Sequence, residues 1–585
     1  MNNPAGITDE SKVRDLGQSR ARMSRKIAGA QANASAQPGR LFFAVLGHLQ
    51  TRLSEVNGRA PGTHTDFNPR SANSDEKSRR VFLILPWVFL TLGLIFRWYW
   101  VDYARFTGDE ALFYRMAQQI VTESALPVLG PSVSGTAAKH PGATFYYLMA
   151  LPNLISSHPR WSGMFISLLS VISLGLLVRM VRELRGEQTA LITAWLSALS
   201  PWYILYSDRI WNSNVAPWLA IFVLFGLHRM VHTPKSRWVG IVALLLVILF
   251  QFHLSTPILW MAALGILVAA RAQIHWRALI LGTVAGALFY APYLIYEIRH
   301  DFINVRAILS DAGGTEHGLL QPLRSFVYVL LFGTGDVGYH AHTGYWRPYD
   351  PLWQWTTGDG SRDSIRYYGW PLILGIWLSV GLCVWAWCRR LIRGGRNPQA
   401  LRQLLADPVW GALILGSFSG ATLLFVSHKA AYPHYVNLLL GVGVVPVAEL
   451  LSDLANNASR LRKTFVYLFV ALLGISMAVS TSLYYVRIDS KVGLATTLDI
   501  VDIISQKQSH EPFGLRFPYF NNRFPMSVLA EYAVGRPWLY QNKSKVVYEI
   551  RPKQHIDELP PEKADDLWDI GPVWLIRTAS RGASR

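Results

Sequence analysis

Charge is scarce in this sequence. Asp, Glu, Lys and Arg make up 16% of its 585 residues, where a soluble domain carries about a quarter. Cysteine is nearly absent: Cys383 and Cys388 sit together in one apolar segment. That excludes a disulfide framework and a cysteine metal cluster. There is no Walker A loop, no dinucleotide glycine fingerprint and no Gly-x-Ser-x-Gly elbow. The polar N-terminal region holds no short apolar stretch with a small-residue cleavage site, so no cleavable signal peptide is expected.

What the sequence has in quantity is apolar residues: 51% of the chain, at a mean hydropathy of +0.21. They come in blocks, such as 83–96, 164–178, 238–250 and 413–426. A membrane crossing needs about 20 mostly apolar residues to span about 30 Å of hydrocarbon. A series of such blocks joined by short basic loops predicts an α-helical polytopic membrane protein. The net charge of +19 then reflects Lys and Arg gathered in loops retained in the cytoplasm, and no nucleic acid is expected as a partner.

Residues 1–78 read as a disordered cytoplasmic tail, with one helical piece at 41–52. Lys77, Arg79 and Arg80 precede the first apolar block, which places the N-terminus inside. About eleven crossings follow, near 81–98, 161–179, 188–206, 215–231, 238–254, 256–270, 278–296, 369–388, 409–426, 434–451 and 464–484. With that number every basic cluster falls on one side, provided that 141–156, interrupted by Pro152, lies at the surface as a juxtamembrane helix. The expected organisation is a tail, a transmembrane region over 79–484, and a small extracytoplasmic α/β domain over 485–585. Its alternating runs predict strands at 546–550 and 573–576, with helices at 495–506 and 527–534.

Charged side chains near hydrocarbon are costly and mark function. Thr107-Gly108-Asp109-Glu110 follows the first span and opens a helix. Thr107 with Glu110 fits a capping box, which makes Glu110 structural and leaves Asp109 available as a general base. Lys139-His140-Pro141 precedes the aromatics Phe145-Tyr146-Tyr147; it is an interfacial anchor, or a cation and an imidazole beside Asp109. Arg209 lies in the short outer loop 207–214. His253 stands at an outer span end, where hydrogen-bonded structure is the simpler reading. Glu297 and His300 are three apart, a spacing that suits a divalent cation on one helix face. Ser427-His428-Lys429, with Tyr432, His434 and Tyr435, combines a point charge and aromatics that suit a phosphate or a headgroup anchor.

The order of these features resembles the GT-C superfamily of membrane glycosyltransferases. It is most similar to the bacterial branch near the protein O-mannosyltransferases and the aminoarabinose transferase of lipid A. The runs Asp208-Arg209-Ile210-Trp211-Asn212, Gln251-Phe252-His253-Leu254-Ser255 and Tyr296-Glu297-Ile298-Arg299-His300-Asp301-Phe302 carry the likeness, which covers about 80–450. Relatives often read His-Pro-Pro where this chain has His140-Pro141-Gly142. The resemblance implies a polyprenyl-phosphate-linked sugar as donor and a glycan, lipid or protein hydroxyl as acceptor, with inversion at the outer face of the plasma membrane. It implies Asp109 as the base, accompanied by Glu110. Lys139, His140, Arg209, Lys429 and Tyr435 would meet donor phosphate or substrate, and Glu297 and His300 would lie near a divalent cation. The alternative, a transporter or flippase of lipid-linked sugars, predicts internal repeats and broken helices near mid-membrane; no repeat is visible.

Overall fold

A computed structural model of the chain describes residues 69–133, 137–310, 322–335, 370–427, 432–456, 458–487, 493–508, 513–516, 523–535, 546–552, 566–570 and 573–579. The expected helical piece at 41–52 and Lys429 lie outside the described residues, as does most of the expected tail; from Pro69 onward the chain is helical as far as Trp100.

Among the described residues seven helices are long and apolar enough to cross a membrane: Phe82–Trp100, Arg160–Arg185, Asn212–His232, Leu374–Gly394, Pro408–Ser427, Pro433–Asn456 and Arg460–Val486. The pair Trp276–Leu288 and Ala291–Arg299, bent by 52°, makes an eighth if it is one span. The other expected spans are shorter or interrupted among the described residues, and the reason is local. The block 188–206 splits into Glu187–Leu199 and Pro201–Leu205, because Ser200 is extended (ψ 128°) and Pro201 has no N–H to continue the ladder. The blocks 238–254 and 256–270 become the shorter helices Trp238–Phe252 and Pro257–Ala270, separated by extended His253. The stretch 141–156 forms only Thr144–Asn153, roughly 15 Å long at about 1.5 Å per residue, too short to cross.

Arg160–Arg185 packs against both Glu187–Leu199 and Asn212–His232, and Trp238–Phe252 lies between Asn212–His232 and Trp276–Leu288. At that last crossing a side chain on Gly282 would overlap the Gly240 carbonyl, so only glycine allows the two backbones to touch. Arg160–Arg185 also marks the two ends of the bundle. Arg160 pairs with Asp102 at 3.1 Å at one end, and Arg185 pairs with Glu449 at 2.5 Å at the other. Large apolar side chains such as Leu92, Leu264, Val268, Phe418 and Leu472 stay exposed along the helix flanks, a surface suited to lipid.

After the last long helix come Leu494–Lys507 and Arg523–Tyr532 and a four-stranded sheet. Its strands are β1 (Gly514–Arg516), β2 (Val546–Pro552), β3 (Asp566–Ile570) and β4 (Val573–Ala579), in the order β1-β2-β4-β3. β1 runs parallel to β2, while β4 pairs antiparallel with both β2 and β3. The alternating pattern predicts β2 and β4; β1 is too short and β3 too polar to stand out. This region is tied to the first loop by main-chain bonds: Leu494 N–H donates to the Ala104 carbonyl (2.9 Å) and Ala495 N–H to that of Asp102 (2.8 Å).

Candidate functional site

The loop that leaves the first span turns into the helix Gly108–Thr122 at Thr107. Glu110 Oε2 accepts from the Thr107 N–H at 2.9 Å and from its hydroxyl at 2.7 Å, while Oε1 pairs with Arg209 Nε. Both partners are withdrawn from solvent, Glu110 at 0% and Arg209 at 6% exposure. Burial pushes the Glu110 carboxyl up, but Arg209 and the two Thr107 bonds outweigh it and hold the pKa below the usual range. Glu110 is therefore a fixed anion, committed to a cap and a cation. Asp109, next to it, is exposed. The protein around it still removes enough hydration to raise its pKa; Glu110 adds to the rise and Arg209 opposes it. Two adjacent carboxyls thus have opposite shifts, the pattern that separates a structural anion from a proton acceptor.

From Arg209 the site continues through rings. Its guanidinium lies 5.1 Å from the Trp211 ring. Trp211 meets His434 at 5.3 Å, and His434 meets His253 at 5.8 Å and Tyr435 at 4.4 Å. Tyr435 also faces His253 at 6.1 Å. His253 Nδ1 is 2.7 Å from the Ser255 hydroxyl. Burial first, then the nearby His434 and His140, drive the His253 pKa well down. His140, 8% exposed, is lowered to about 4 by burial, and its Nδ1 is buried without a partner among the described residues. Burial favours the neutral form of both imidazoles, which supplies an N–H donor without charge. A fixed anion–cation pair, an open carboxylate and neutral ring donors therefore meet at one end of the bundle.

This architecture is similar to that of ArnT from Cupriavidus metallidurans, a lipid A aminoarabinose transferase solved bound to undecaprenyl phosphate. Identity is 12%, the match covers 85% of this chain and 98% of that one, and the TM-score is 0.51. The chain shares the fold of that transferase. The archaeal oligosaccharyltransferase AglB from Archaeoglobus fulgidus, solved with an inhibitory peptide and a dolichol-phosphate, matches at 12% identity over 79% of this chain and 69% of that one, with a TM-score of 0.40. No family model and no curated protein matches the chain.

Within the bundle the remaining candidates take unequal places. Lys139 donates from Nζ to the Ser132 hydroxyl at 2.6 Å, and its backbone N–H donates to Asn304 Oδ1 at 2.8 Å. Asn304 in turn donates to Glu297 Oε1 at 2.5 Å, and Val305 N–H reaches Glu297 Oε2 at 3.3 Å. Glu297 is fully buried and, through Asn304, braces the Lys139-His140 hairpin. His300 lies past the helix end, exposed, stacked on Tyr296 at 4.0 Å with Nδ1 on the Tyr296 carbonyl (2.7 Å). The expected shared face is corrected: one side chain turns in and the other out. The pair does not fit a divalent cation, and no group of three or more His, Cys, Asp or Glu among the described residues could hold one. Gly142, the departure from His-Pro-Pro, has φ +136° with the Gln251 carboxamide against its Cα, a backbone that proline's φ of about −65° cannot adopt.

Sequence reasoning passed over Arg97. It is fully buried near the end of the first span and donates to Ser207 Oγ (3.0 Å) and to the carbonyls of Gly93 (2.9 Å), Ala198 (2.9 Å) and Ser197 (3.0 Å). It thereby ties the unwound end of Glu187–Leu199 to the loop that presents Arg209. The available signal was the lone arginine inside an apolar run. The meeting of His140, His253 and His434 left no such mark, because the three are scattered along the chain.

Proposed function

We propose that this chain is an integral membrane glycosyltransferase that moves a sugar from a polyprenyl-phosphate donor to a hydroxyl acceptor. Transfer takes place at the outer face of the plasma membrane, with the N-terminus inside and the region 485–585 outside. The carrying observation is Asp109: an open carboxylate of raised pKa at a helix N-terminus, directly after a span, beside a carboxylate already committed to Arg209. The ArnT likeness supports the fold and, through its bound undecaprenyl phosphate, suggests the donor class.

In this reading Asp109 takes the proton of the acceptor hydroxyl as its oxygen attacks the anomeric carbon. The bond to the donor phosphate oxygen breaks, and the polyprenyl phosphate leaves with the electron pair. One displacement inverts the anomeric centre. Preorganised donors stabilise the departing charge; Arg209, His140, Tyr435 and Lys429 are the groups assigned to it, with Lys139 at the hairpin that carries His140. Asp109→Asn keeps shape and hydrogen bonding but not basicity. Its turnover should fall by roughly 10²-fold or more with donor binding unchanged, measured as label transfer from a panel of polyprenyl-phosphate sugars in purified membranes. Near-native turnover would return Asp109 to a structural role. In the same assay Lys429→Ala should weaken donor use, and Lys429→Arg should keep part of it.

A further inference from the structure

The end of the bundle away from Asp109 carries a second polar assembly that the proposed reaction does not use. There Arg389, Arg390 and Arg393, with Trp410, Glu449 and Asp453, line a small open recess. Trp410 begins the helix Pro408–Ser427, whose far end leads to Tyr432–Tyr435 beside the candidate site. At about 1.5 Å per residue the two ends are roughly 26 Å apart, so the recess lies at the opposite membrane surface.

The charges in it do not cancel. Glu449 accepts from Arg185 Nε at 2.5 Å and from Trp410 Nε1 at 3.0 Å, but Arg185 is shared with Asp407, so Glu449 still counts in the recess. Asp453 is shared, 3.0 Å from Arg389 and 3.8 Å from Arg393. Arg390 has no carboxylate partner among the described residues; its guanidinium lies 5.9 Å from the Trp410 ring. The three guanidiniums of the recess therefore outnumber its two carboxylates, Glu449 and Asp453, by one. On the same helix Leu391 and Ile392 are exposed, so an apolar flank adjoins the basic recess. A free anion needs only the recess, whereas an anionic amphiphile uses both surfaces.

We propose that this recess binds the phosphate of an anionic phospholipid in the leaflet opposite Asp109. Guanidinium groups match phosphate oxygens with paired N–H donors, and basic pockets between membrane helices on the cytoplasmic side hold acidic headgroups in this way. The partner is a bulk lipid, so the site is independent of the donor.

The test uses the full chain in nanodiscs of phosphatidylcholine with one fifth phosphatidylglycerol, followed by native mass spectrometry. Wild type should carry one retained phosphatidylglycerol, and Arg390→Gln/Arg393→Gln should carry at least fivefold less. Arg277→Gln, a basic residue outside the recess, should leave retention unchanged. The milder Arg390→Lys replaces a two-pronged donor with a point charge and should retain an intermediate amount, which keeps the test open if the double variant fails to fold. Equal retention in wild type and the recess variants would overturn the proposal. Displacement of the lipid by millimolar inorganic phosphate would also overturn it, by assigning the recess to a free anion.

Discussion

Replacing Arg209 with methionine leaves the buried Glu110 carboxyl without its cation. The two side chains are 7% and 0% exposed, so the pair belongs with buried ion pairs, where removing one partner costs about 3–5 kcal/mol. Glu110 keeps its two bonds from Thr107, which sets the expectation for Arg209→Met near the lower end, about 3 kcal/mol. Glu110→Gln retains an acceptor for the Thr107 N–H but strands the guanidinium against Trp211, and a similar loss is expected. The double variant holds no buried charge, so the single losses should exceed the double loss by about 2 kcal/mol or more in a double-mutant cycle. Unfolding free energies from SDS titration in mixed micelles give all four corners. The pH dependence has a definite sign. With a folded pKa below the unfolded one, Glu110 contributes stability above the unfolded carboxylate value of about 4.3, and this is lost as pH falls through the folded value. In Arg209→Met burial is opposed only by the two Thr107 bonds, so the folded pKa rises and the stability gained above the unfolded value is reduced. A coupling below about 0.5 kcal/mol, the size found for exposed pairs, would refute the assignment of Glu110 as a committed anion.

Three further outcomes follow from the geometry. Because the Asp109 pKa is raised, kcat/KM should climb with pH on an acid limb above the ordinary carboxylate value of about 3.9, and that limb should vanish in Asp109→Asn; a limb retained there belongs to another group. Gly142→Pro, although it restores a His-Pro-Pro sequence, should destabilise by about 3 kcal/mol or more, since it demands a φ of the wrong sign; a stable Gly142→Pro protein in the same titration would show that the hairpin has another conformation. His300→Ala should leave turnover within about twofold, while Asn304→Ala should lower it by disconnecting Glu297 from the Lys139 backbone; the reverse ranking would reinstate His300 as a functional ligand.

Much of this was legible from residue order, and the misses have physical causes. Apolar block length and basic flanks locate the long helices such as Arg160–Arg185 and Pro408–Ser427. Hydropathy averages over a window, so it passes over Ser200-Pro201 and the extended His253, where one residue without a ladder bond ends a helix. The capping box at Thr107 is a local motif and was readable, as was the neighbouring carboxylate that the cap leaves over. The commitment of Glu110 to Arg209 was not, because it joins positions 99 residues apart in sequence. The i, i+3 spacing of Glu297 and His300 gave a misleading signal. The helix ends at Arg299, so helical periodicity no longer governs the direction of His300.

The main-chain bonds from Leu494 and Ala495 to Ala104 and Asp102 also set a schedule for biosynthesis. Residues 102–104 emerge early and insert with the first span, yet the strand-like partner that fixes them is made nearly 400 residues later. Closing so long a loop carries an entropic cost that only the finished chain can offset. Tyr485, whose hydroxyl bonds Asp208, belongs to the same late group. The bundle can therefore be inserted and packed while the loop at 102–104 still lacks its partner, and a chain interrupted before 494 would never gain these two bonds.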